Sequence, residues 1–117
     1  MQIQESRFGE VIVVAPAGRI DHAHTPDFQQ ALAPYVAACT GAGAPLLLDF
    51  SGIDYISSVG LRALMLIARA VTAQHGKVAI AGLRPVVREV FEISRFHLVV
   101  KIYDTVESGA AAMAGPP

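Results

Sequence analysis

The chain has 117 residues, room for one domain of ordinary size. Apolar residues make up 53% of it and charged ones 16%, which excludes intrinsic disorder and provides for a sizeable core. Nine Lys and Arg against ten Asp and Glu give a net charge of −1 without a run of like charge, which excludes an electrostatic nucleic-acid binder.

The β-branched run at Val11–Ala15, with Ile3 and Glu5 ahead of the turn-like Phe8-Gly9-Glu10, predicts an opening hairpin. Ala17–Ile20 extends or follows its second strand. Thr25-Pro26-Asp27 predicts a helix start, with an oxygen-bearing cap, a proline in the first turn and an acid favoured by the helix dipole. Phe28, Leu32, Tyr35 and Val36 carry that helix to about Cys39, and Gly41–Pro45 breaks it. Leu46–Phe50 is apolar on both faces, as in a buried parallel strand. Ser51–Ser57 is expected as a loop, Ser58–Gln74 as a second helix, and His75-Gly76 as its stop.

Val78–Ala81 is the next buried strand. Arg84-Pro85 opens a third helix with Val86, Val87, Val90 and Phe91 on its apolar side. Val99–Tyr103 closes the sheet, Val106–Met113 forms a last helix, and Gly115–Pro117 should fray. The expected fold is therefore α/β: one domain over residues 1–113 with a short tail at 114–117. A small, mostly parallel sheet of four or five strands would be covered by about four helices, mainly on one side. Asp49–Gly60 then follows a strand's carboxyl end, where functional residues gather in such sheets.

Convergent titratable groups are scarce. His22 and His24 beside Asp21 have no further ligand nearby in sequence, so a solvated loop outweighs a metal site, and no cofactor is expected. Cys39 closes an apolar helix and reads as a small buried hydrophobe. Ser57 and Ser58 lack the glycine-flanked elbow of a hydrolase nucleophile, and no phosphate-binding Gly-rich loop occurs. The chain is not expected to be an enzyme. Apolar stretches such as Val11–Ala17 and Pro45–Leu48 fall far short of the roughly 20 residues that cross a bilayer, so no membrane insertion is expected. Met1–Arg7 lacks a secretion-signal layout, and a lone Cys39 fits a reducing cytoplasm. The two hydroxyls at Ser57 and Ser58 admit two readings. One serine suffices to cap the helix; the other is a site that could carry phosphate against free helix amides.

Gly18–Asp21, the segment Leu48–Arg62 with its Ser57-Ser58-Val59-Gly60, Gly76–Gly82 and Pro85–Phe91 stand in an order and spacing that resemble the STAS family of bacterial anti-sigma factor antagonists. The resemblance implies a binding module that docks on a GHKL-type serine kinase serving also as anti-sigma factor, thereby releasing a sigma factor. It also implies phosphorylation of a loop serine that blocks docking, and a PP2C-type phosphatase that would reverse it. The family's usual acceptor position is filled here by Val59, so Ser58 is the nearest acceptor and Ser57 the second.

The implied docking surface comprises Asp21, Asp54 and Tyr55 beside the second helix, and Ser57, Ser58, Val59 and Gly60 at its start. Along the helix it continues through Arg62, Ala63, Leu66 and Arg69. At about 100° per residue, Leu61, Leu64, Met65, Ala68, Val71 and Thr72 fall on the expected core side, with Val59, Ala63, Leu66 and Ala70 nearly opposite. Apolar residues on an outward face point to a partner; the other account is that alanine simply favours helix. A monomer or weak dimer is expected. A STAS subunit of an ABC-type lipid-transport complex is the alternative function, and an enzyme a weak third.

Overall fold

β1 (Ile3–Phe8) and β2 (Val11–Pro16) pair antiparallel as the expected hairpin, turning at Gly9 with φ +61°. The computed structural model describes residues 1–114; the expected fraying of Gly115–Pro117 lies outside the described residues. After β3 (Gly18–Ile20) come α1 (Thr25–Ala38), β4 (Leu46–Asp49), β5 (Ile53–Ile56) and α2 (Ser58–Ala73). The chain continues through β6 (Val78–Ala81), α3 (Pro85–Ile93), a 3-10 turn at Phe96–Leu98, β7 (Lys101–Tyr103) and α4 (Val106–Ala114).

Five strands form the main sheet in the order β1-β2-β4-β6-β7, parallel from β2 onward. Adjacent rows of that sheet serve opposite faces, because strand side chains alternate. Val14, Leu48 and Ile80 are in register and face the larger core with α1, α2 and α3. Val13, Leu47 and Ala79, one residue back, face the smaller core under Ala110 and Met113 of α4. Phe28, Phe50 and Phe91 meet edge to face through the larger core at centroid spacings of 6.3 and 6.3 Å, and Phe96 lies tilted against Phe91 at 5.1 Å. They tie α1, the end of β4, α3 and the 3-10 turn together.

Five expectations need correction. The closing strand, expected over Val99–Tyr103, starts only at Lys101, because Val99 ends the 3-10 turn. The segment expected as a loop contains β5, which pairs in parallel with β3 as a separate two-stranded sheet. Its burial order, with Ile53 and Ile56 inside and Asp54 and Tyr55 outside, has no two-residue alternation to betray a strand. Thr25 does not cap α1. His24 holds that position, and Asp21 folds the entry by accepting the His24 N–H at 2.9 Å and, through its carbonyl, the Thr25 hydroxyl at 2.7 Å. Val86 is 63% exposed rather than on the core side of α3, where Val87 and Phe91 suffice. Thr72 of α2 is likewise exposed.

Candidate functional site

The head of α2 is fixed by one close approach. A Cβ on Gly60 would lie 2.6 Å from the Ile20 carbonyl oxygen and 2.7 Å from Ile20 Cγ2, so only glycine lets the helix start against β3. Ser57 completes the junction. Its backbone N–H donates to the Ile20 carbonyl at 2.9 Å and its hydroxyl donates to the same oxygen at 3.2 Å. The Ser57 Oγ in turn accepts the Gly60 N–H at 3.1 Å, which makes Ser57 the N-cap. Ser58 is the first helical residue, exposed, and its hydroxyl makes no hydrogen bond within the chain among the described residues. The sequence offered two serines for one cap; the structure assigns the cap to Ser57 and leaves Ser58 open to solvent.

Beside this junction, β3 and β5 carry a polar surface. The Arg19 guanidinium lies 4.3 Å from the Tyr55 ring centroid and its Nε 3.6 Å from the Asp21 carboxylate. Asp21 also meets His24 Nδ1 at 2.6 Å. That hydrogen bond, helped by the His24 backbone N–H, holds the Asp21 carboxyl below its ordinary value of 3.8. Asp54 and Tyr55 are exposed. His22 and His24 gain no further ligand, since no group of three or more potential metal ligands occurs among the described residues. Cys39 is buried, donates to the Lys77 carbonyl at 3.2 Å, and has its thiol pushed up by burial.

Along α2, Val59 and Leu66 are 43% and 51% exposed, and Arg62 and Arg69 are exposed beside them. Gly60 and Ala63, expected on the docking face, are buried instead, on the flank they share with Ile67 at three- and four-residue steps. A flank of small residues is what lets α2 pack closely; it gives no outward surface. Sequence reasoning missed the groove of about 500 Å³ that opens between α2 and the 3-10 turn. Leu61, Met65, Phe96 and Val99 line it, with Ser58 and Arg62 among its polar residues. Of the exposed apolar residues at the end of α3 and beyond it, only Val99, 44% exposed, lines the groove; Ile93 and Leu98 do not. Nothing in this region joins a nucleophile to a base. It offers apolar surface, guanidinium groups and one free hydroxyl, which are the means of binding.

The chain is 30% identical over 112 residues to BtrV of Bordetella bronchiseptica, assigned by name to the anti-sigma factor antagonists, covering 96% of this chain and 94% of that protein. An anti-sigma factor antagonist from Mycobacterium paratuberculosis shares the fold with a TM-score of 0.83 at 22% identity, covering 97% of this chain and 93% of that one. The phosphorylated form of the Bacillus cell-fate determinant SpoIIAA superposes with a TM-score of 0.66 at 19% identity, covering 95% and 98%. Residues 2–109 match the family profile described as the STAS domain, so the chain belongs to the STAS-domain family.

Proposed function

We propose that this protein is an anti-sigma factor antagonist: it docks through the head and outward face of α2 on an anti-sigma factor that is also a GHKL-type serine kinase, and so frees a sigma factor. The carrying observation is the division of labour between Ser57 and Ser58. Ser57 is consumed by the cap, whereas Ser58 is a free hydroxyl at the edge of the exposed apolar surface of Val59 and Leu66. The relative at 30% identity, assigned to the anti-sigma factor antagonists, supports the same reading. A phosphate on Ser58 would meet helix N–H groups, so the fold tolerates it, while its charge of about −1.5 to −2 sits where the partner must desolvate apolar surface. A PP2C-type phosphatase would restore docking. The protein acts in the cytoplasm as a monomer or weak dimer and catalyses nothing itself.

The test is incubation with the cognate kinase and ATP, mapping of phosphate by mass spectrometry, and affinity measurements on variants. Phosphate on Ser58, docking weakened by Ser58→Asp and unaffected by Ser58→Ala, is the expected result. Phosphate on Ser57 would move the switch to the cap. Absence of phosphate from both serines would favour the reading as a STAS subunit of a lipid-transport complex, for which Val59 at the family's usual acceptor position is the specific observation.

A further inference from the structure

The groove between α2 and the Phe96–Leu98 turn has a charge pattern that its core-packing role does not require. Arg62 and Arg69 are the only charged side chains that line it, and no carboxylate does. Neither arginine takes part in an ion pair among the described residues, whereas Arg19 and Arg88 are each paired with an aspartate. The chain as a whole carries a net charge of −1, so this is a local feature rather than a general basic character. Between the arginines the surface is apolar, with Leu66 51% and Val99 44% exposed.

We propose that this groove receives an acidic amphipathic helix of the partner, whose apolar face covers Leu66 and Val99 and whose carboxylates pair with Arg62 and Arg69. This deepens the docking reading above and rests on it. The two arginines stand seven positions apart, about 10 Å along a helix, which matches carboxylates two turns apart on an occupant. The chain's own α3 also exposes carboxylates, at Glu89 and Glu92, beside Val86 and Ile93. Those carboxylates stand three residues apart, about 5 Å, which does not match the arginine spacing and disfavours a second copy as occupant. The groove is continuous with the switch: Ser58 lines it four residues before Arg62, on the same side of α2. A phosphate on Ser58 would pair with Arg62 at that spacing and take the place of a partner carboxylate.

The experiment titrates the full isotope-labelled protein with two blocked peptides of about four helical turns, one with Leu on one face and Glu along its flanks, the other with Lys for every Glu. Expected are chemical-shift changes centred on Leu66, Arg69, Phe96 and Val99, and about tenfold tighter binding of the Glu peptide, reversed by Arg62→Glu with Arg69→Glu. Equal affinity for the two peptides, no binding of either, or shifts confined to Asp54 and Tyr55 would overturn the proposal. The kinase partner supplies the second arm. Docking that is abolished by Ser58→Asp but indifferent to the double arginine variant would overturn this groove while leaving the docking reading intact. Docking absent from the wild-type chain would overturn the docking reading, with the peptide titration still deciding the groove. Self-association of the wild type that the arginine variant abolishes would assign the groove to a second copy and overturn the proposal.

Discussion

At Ser57 the hydroxyl is held on both sides, by the Gly60 N–H at 3.1 Å and the Ile20 carbonyl at 3.2 Å, whereas its neighbour Ser58 projects into solvent. Ser57→Ala is therefore expected to cost about 1 kcal/mol, the usual value of an N-cap, and Ser58→Ala under about 0.5 kcal/mol. Urea denaturation of the two variants checks this, and equal losses would contradict the assignment of the cap. Gly60 makes a sharper demand. Its Cβ would enter the space of the Ile20 backbone at 2.6 Å, and a backbone atom cannot swing aside as a flexible side-chain end can. Gly60→Ala should cost about 1–3 kcal/mol of overpacking strain, read as a melting temperature lower by roughly 4 °C per kcal/mol. Asp21 supplies a pH test. Its carboxyl is held below 3.8 in the folded protein, chiefly by the hydrogen bond to His24, so its contribution is present above the unfolded value and is lost as pH falls through the folded one. Asp21→Asn should accordingly destabilise the protein at neutral pH more than at about pH 3, as urea midpoints at the two pH values would show.

Among the elements, the three strands β2, β4 and β6 were legible because they are buried on both faces and read as continuous apolar runs. β3 and β5 were not. They have three and four residues, and the second puts two exposed residues side by side. α2 was placed to within one residue at its end, yet the faces of Gly60, Ala63 and Thr72 were misread. Ala63 suits either side of a helix by its chemistry, and only the packed structure shows that it is 4% exposed. Leu66 was read correctly, since a large apolar residue opposite the core has no internal partner. Leu66→Arg should leave the melting temperature within about 2 °C, because the charge stays solvated in the free protein. In the complex it would be buried unpaired and cost several kcal/mol, about a hundredfold or more in affinity. Thermal melting and partner binding measured on the same sample check both halves; a collapse of the melt would mean that Leu66 supports the core.

Across the whole molecule, the two cores share their strands. Leu47 and Leu48 are adjacent in β4 and fully buried on opposite faces, and Val13–Val14 and Ala79–Ile80 repeat the arrangement in β2 and β6. No residue of the central sheet can leave one core while the strand remains in the other. The larger core, with three helices and the run of phenylalanines, is therefore expected to lose stability when α4 detaches and wets Val13, Leu47 and Ala79. Ala110 is the point to test, being 0% exposed within the smaller core. Ala110→Asp places a carboxylate among apolar side chains with nothing to pair it, at a cost of at least about 3 kcal/mol. Against a stability of about 5–15 kcal/mol for a domain of this size, that should lower the melting temperature by roughly 10 °C or more. The methyl resonances of Leu47 and Leu48, one from each core, should disappear at a common urea midpoint in the wild type and at a common, lower midpoint in Ala110→Asp. A Leu47 midpoint that falls while the Leu48 midpoint stays would show that the faces unfold separately, and would make α4 a detachable cover rather than half of one cooperative unit.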